Sequence, residues 1–313
     1  MGGPTAVMTW RAAAGAALVL AAASAAAAAL SYPQNQLAGA LVRTVADCAA
    51  VVTVGLAAVP MLESARYRAE LARTAARPLA FSSAVWLLAE LVRLIVVAAQ
   101  AAAVPVQRVG VHTVGEFALH TTVGRSGLVA IVAALAVCVT TLLAPRTAAA
   151  IVATIGTAAA GVAARTLAGH LAESPVGGLA VAVHALAAAV WCGVLAALVL
   201  TVTHRGQWAR VLPRFSQLSL GSVAVLLLAG VLGAVIRLQA PAELWTTGYG
   251  RLLAAKVVVT VGLLVLAWRN RAGWLPAARA HRTSASLSTN RSLAELAVMA
   301  VAVTFAAALA VTG

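Results

Sequence analysis

The sequence predicts an all-α, polytopic transmembrane helix bundle of about nine spans, with the N-terminus inside and the C-terminus outside. Three observations predict it. Hydrophobic residues make up 63% of the 313 and charged residues only 10%, against roughly 25% charged in a soluble domain. The apolar residues fall into runs of about 20, the length that crosses a bilayer core at about 1.5 Å per residue. The arginines collect in segments between alternate runs, as the positive-inside rule requires of cytoplasmic loops. That rule also accounts for the formal net charge of +14. Arginines scattered among loops do not make the basic face that nucleic acid needs, so no nucleic-acid partner is expected and membrane lipid is.

The spans follow in order. Residues 12–30 are almost wholly Ala, Val and Leu. This run exceeds the roughly 7–15 apolar residues of a cleaved signal and is read as a retained first helix; cleavage in SAAAAALS would leave eight spans. The Ser31–Gln36 loop is then extracytoplasmic. A second span covers about 38–62, ending near Pro60, and Arg66, Arg68, Arg73 and Arg77 mark a cytoplasmic loop. The third covers about 79–104. The segment 105–126 reads as a polar loop, and the fourth span is about 127–144. Pro145 and Arg146 make a tight turn into the fifth, about 147–168. The sixth is about 177–203, the seventh about 216–238, the eighth about 251–268 and the ninth about 293–312. With the N-terminus inside, the arginine-rich stretches near 66–77, 205–214 and 269–291 all fall on the cytoplasmic side. The chain divides into an N-terminal transmembrane region, 1–145, with spans one to four, and a second region, 146–313, with spans five to nine.

Ionisable groups inside a bilayer are costly and mark function by default. His184 lies within the sixth span, and His170 with Glu173 lies in the loop before it. Spans five and six are antiparallel neighbours, so both imidazoles can face one extracytoplasmic cavity as copper, zinc or haem ligands. The alternative is helix capping or pairing with Glu173. A second group is His112, Glu116 and His120. If helical, this i, i+4, i+8 spacing puts all three on one face able to collect a divalent cation; an ordinary polar surface loop is the competing reading. Asp47 with Arg43, and Glu90 with Arg93, are spaced for local ion pairs inside the second and third spans. Asp47 and Glu90 have similar depth, so pairing between the two helices is also open, and a structural pair weighs equally with an ion pathway. Lys256 and Glu295, near opposite membrane faces, read as end anchors. Cys48, Cys138 and Cys192 sit in apolar runs without zinc-site spacing; Cys192 can serve either as core filler or as a soft ligand farther inward than His184. His204 and His281 sit among cytoplasmic arginines and read as solvated. Only Met1, Met8, Met61 and Met299 occur, too few for a thioether ladder carrying Cu(I). No phosphate-binding GxxxxGK[ST] loop and no hydrolase signature occurs, so an enzyme is not expected.

The order of short motifs in the second region carries a resemblance. Gly169-His170, His184 and Trp191-x-Gly193 are followed by Arg214-Phe215-Ser216, then Gly230, then Tyr249-Gly250 before Leu252, Leu253 and Lys256, and finally the Glu295 span. This resembles the copper resistance D (CopD) family of inner-membrane proteins over about 165–312. The resemblance implies copper handling at the bacterial cytoplasmic membrane, foremost uptake of copper ion from the extracytoplasmic side, with a periplasmic copper-binding protein as a candidate partner. Two alternatives stay open: a haem b-binding, cytochrome b-like redox protein using the paired histidines, and a non-transporting partner of oxidase assembly.

Overall fold

A computed structural model describes residues 4–33, 37–168, 175–237, 240–279 and 284–312. Its elements are α1 (Pro4–Ser31), α2 (Leu37–Ala58) closed by a 3-10 turn (Val59–Leu62), α3 (Ala65–Ala101), a 3-10 turn (Val106–Arg108), α4 (Val111–His120) and α5 (Thr122–Leu143). They continue with α6 (Ala148–Thr166), α7 (Pro175–Thr201), α8 (Arg205–Arg237), the short α9 (Glu243–Thr246), α10 (Gly248–Arg279) and α11 (Ala285–Thr312). No strand occurs among the described residues, and nine of their helices are long and apolar enough to cross a membrane.

The nine apolar runs become nine helices because no backbone polar group can be left unpaired in hydrocarbon. Three of the basic stretches expected as loops are largely helical. α3, α8 and α10 are 37, 33 and 32 residues long, each with an internal proline: Pro78, Pro213 and Pro276. At about 1.5 Å per residue these helices reach about 48–55 Å, well past a hydrocarbon core of about 30 Å. The arginines mark where each helix leaves the apolar layer, not where it ends. The 105–126 segment also differs from the loop expected, since α4 forms within it. Thr121 then caps α5, its Oγ1 accepting from Gly124 N at 2.9 Å. Gly124 is required at that junction, because a Cβ there would lie 2.1 Å from Phe117 O.

The main core joins α2, α3, α7 and α8 through Val54, Leu56, Trp86, Val194, Leu195 and Trp208, all nearly inaccessible. At the centre α2 and α7 touch backbone to backbone. A Cβ on Gly55 would sit 1.9 Å from the Gly193 carbonyl carbon, and one on Gly193 would sit 2.1 Å from Val51 O. Small residues permit such approach, and dispersion across the contact replaces the hydrophobic drive that lipid does not supply. A second cluster packs α1 and α10 on α11 through Ala27, Leu252, Phe305, Ala308 and Leu309. Arg251 closes it at one end, its Nε donating to Leu30 O at 3.1 Å and Nη2 to Tyr32 O at 2.6 Å. These are carbonyls that the end of α1 leaves without helical partners. At the opposite end of the bundle Glu63 is gripped by Arg210, with Nη2 to Oε1 at 2.8 Å and Nε to Oε1 at 3.1 Å. Arg214 Nη1 adds a bond to Leu62 O at 2.7 Å, and the Arg210 guanidinium lies 4.4 Å from the Tyr67 ring centre. These contacts tie the first half of the chain to α8.

Candidate functional site

His184 sits about 13 Å along α7 from Pro175 at 1.5 Å per residue. Its Nδ1 is 2.9 Å from Leu226 O on α8. A carbonyl only accepts, so Nδ1 carries the proton and Nε2 presents its lone pair. A backbone carbonyl behind one ring nitrogen is the arrangement that orients imidazole as a metal ligand through the other. Gly230, one turn farther along α8, makes room for the ring: a Cβ there would come within 3.1 Å of Cε1 and Nδ1. The imidazole is half-buried, as is Lys256 on α10. Among the described residues no hydrogen bond reaches Nε2 and no ion pair reaches Lys256.

His170 and Glu173 lie outside the described residues, as does His281. α4 brings His112, Glu116 and His120 onto one exposed face. His112 Nε2 is 3.8 Å from Glu116 Oε1, and His120 Nε2 is 3.5 Å from Glu116 Oε2. The carboxylate thus stands between two imidazoles spaced along two turns. Among the described residues no group of three His, Cys, Asp or Glu side chains converges closely enough to hold a metal ion.

The charges of the second and third spans form a network with a member absent from the sequence reading. Arg43 Nε is 3.5 Å from Asp47 Oδ2, and Arg93 Nη1 is 3.7 Å from Glu90 Oε2, so both local pairs form. Arg165 of α6 joins them. Its Nη1 donates to Glu90 Oε1, and Nη2 lies 3.8 Å from Asp47 Oδ1. Trp86 Nε1 also donates to Glu90 Oε1, at 3.3 Å. Three guanidiniums against two carboxylates leave one positive charge over. Arg43 Nη1 reaches Ala310 O at 3.5 Å in the last turn of α11, the negative end of that helix dipole. Arg165 stands near the end of its span in the sequence. Its depth is visible only once α2, α3 and α6 are packed.

Cys192 is buried in the main core, about 12 Å along α7 from His184 at 1.5 Å per residue. That rise puts the thiol beyond reach of an ion held by Nε2 of the same helix. Glu295, read as an end anchor, is packed inside the bundle. It is 4% exposed and accepts from Asn270 Nδ2 at 3.0 Å. Apolar flanks on α11 hide it, whereas residue spacing alone placed it near a helix end.

The short motifs acquire physical reasons. Trp191 fills the core, and Gly193 is the α2 contact. Arg214 binds Leu62 O, Phe215 is buried, and Ser216 O and Oγ both accept from Arg271 Nη1. The Tyr249 ring lies 4.9 Å under the Arg237 guanidinium, and a Cβ on Gly250 would strike Glu243 O at 1.8 Å.

Together these features define a multi-pass membrane protein that holds an oriented imidazole between α7 and α8 and a paired charge network among α2, α3 and α6. Residues 209–311 match the family Copper resistance protein D, and residues 34–179 match Copper resistance protein D-like, N-terminal domain. The chain belongs to the CopD family and is a copper-resistance-related membrane protein. Neither a curated protein nor a solved structure matches it.

Proposed function

We propose that the protein moves copper ion across the bacterial cytoplasmic membrane from the extracytoplasmic side, with His184 as the first ligand inside the bundle. The observation that carries this reading is the hydrogen bond from Nδ1 to Leu226 O, which leaves Nε2 as a fixed, neutral donor to a metal. His170 is the second ligand from the neighbouring loop, and the His112, Glu116, His120 face of α4 collects ions ahead of it. A transit site must bind strongly enough to admit an ion and weakly enough to release it. Imidazole ligands near the mouth of a bundle suit that requirement for copper. Cys192 is a soft ligand farther inward, and a periplasmic copper-binding protein delivers the ion. The charge network of α2, α3 and α6 holds the bundle and is not the conduit.

The decisive measurement is cellular copper accumulation with His184→Ala at matched protein level. Uptake falls several-fold if His184 is a ligand; unchanged uptake removes it from the path. Orientation has its own test. A reporter active only outside the cytoplasm, fused after Gly313, is active if the C-terminus lies outside, and a silent fusion reverses the direction assigned. A Soret band in the purified protein that His184→Ala abolishes would replace copper by haem.

A further inference from the structure

A cavity of about 220 Å³ lies between α7, α8, α10 and α11, at the end of the bundle that carries the 205–214 and 269–279 arginines. Trp191, in its wall, lies about 10 Å along α7 from His184. A cavity of about 150 Å³ accommodates benzene, so this one takes a group somewhat larger. Its wall is mainly apolar, with Trp191, Trp268 and Trp274 prominent, but it contains two full charges: the Glu295 carboxylate and the Arg271 guanidinium. They do not pair with each other. Arg271 spends Nη1 on Ser216, and Glu295 spends Oε1 on Asn270. Among the described residues, Glu295 Oε2 and the remaining Arg271 nitrogens have no hydrogen-bond partner.

Neither free end is sealed from solvent, so an occupant of the cavity can reach both and gain charge-assisted hydrogen bonds. The complementary occupant is a zwitterion, with an ammonium for Glu295 and an oxyanion for Arg271. The indoles add attraction for an ammonium through their faces. The cavity also opens to the outer surface of the bundle, where Trp268 is 70% exposed and Leu220 51%. Tryptophan at the ends of transmembrane helices sits at headgroup level. We infer that this cavity binds the headgroup of a zwitterionic phospholipid, phosphate on Arg271 and ammonium on Glu295, with the acyl chains running out past Trp268 and Leu220.

The test uses the full chain purified from nanodiscs containing equal phosphatidylethanolamine and phosphatidylglycerol, with retained lipid measured by mass spectrometry. Wild type retains roughly tenfold more phosphatidylethanolamine, the discrimination expected of one charge-assisted hydrogen bond. Glu295→Gln keeps the oxygen that Asn270 donates to but loses the charge, and the preference disappears. If Glu295→Gln fails to fold, Ser219→Phe carries the test, since it fills the cavity and leaves both charges in place; it too loses the lipid. Equal retention of the two lipids by wild type, or an unchanged preference in the variant that folds, overturns the inference. So does free phosphoethanolamine raising the melting temperature as much as the lipid does, because the occupant is then a soluble zwitterion. Copper accumulation is read separately, so either result can fail without the other.

Discussion

The two halves of the bundle handle buried polarity in opposite ways. In α2, α3 and α6, five full charges are drawn into one network in which Glu90, 2% exposed, meets Arg165, Arg93 and the Trp86 indole. In α7, α8, α10 and α11, three ionisable groups are each held by one side only: His184 by Nδ1, Glu295 by Oε1, Arg271 by Nη1. Pairing in the first half is ionic and crosses helices, although Arg43 Nε, Glu90 Oε2 and Arg165 Nε and Nη2 stay buried without a hydrogen-bond partner; in the second half each group keeps a free end that is not sealed in the core. The difference separates scaffold from candidate site without any appeal to the number of polar residues in each half.

The comparison can be broken or sharpened by four substitutions. The largest effect is expected where the halves meet. Gly193→Leu forces a side chain into Val51 O, and no folded, monodisperse protein should survive size-exclusion chromatography; a normal profile would mean that α2 and α7 can separate freely. Next is Arg165→Ala, which takes the closest cation from buried Glu90 and should cost about 3–5 kcal/mol in detergent unfolding, with most of it restored by Glu90→Leu in the same chain. If Arg165→Ala melts like wild type, the first half is not the scaffold. Arg210→Ala removes the partner of Glu63, itself 3% exposed, and should cost about 1–3 kcal/mol. Smallest in stability is His184→Ala, which forfeits one hydrogen bond worth about 1 kcal/mol. It should nonetheless abolish copper retention measured by metal analysis, and a large stability loss with normal copper would assign His184 to the scaffold instead.

Much of this architecture was legible in the sequence, because membrane spanning is a local property: apolar length and arginine placement bring out all nine helices. The ends of α3, α8 and α10 were not, since a basic stretch with a proline reads as a loop although the backbone continues through Pro78, Pro213 and Pro276. Local i, i+4 and i, i+3 spacing foretold the Arg43–Asp47 and Glu90–Arg93 pairs. It was silent on Arg165, which lies 75 residues from Glu90. His184 stood out as a lone imidazole in an apolar run, yet which nitrogen stays free depends on a carbonyl 42 residues away. The cavity between Glu295 and Arg271 is a property of four helices and leaves no pattern on any one of them.

The Gly55–Gly193 contact has a consequence for how such sequences can drift. Each missing Cβ is excluded by backbone, not by a neighbouring side chain: Gly193 blocks position 55, and Val51 O blocks position 193. Trimming a neighbour therefore cannot compensate for enlargement at either site, and a glycine at one does not license an alanine at the other. The two positions are independent evolutionary dead ends, and a lineage escapes them only by moving two helices apart.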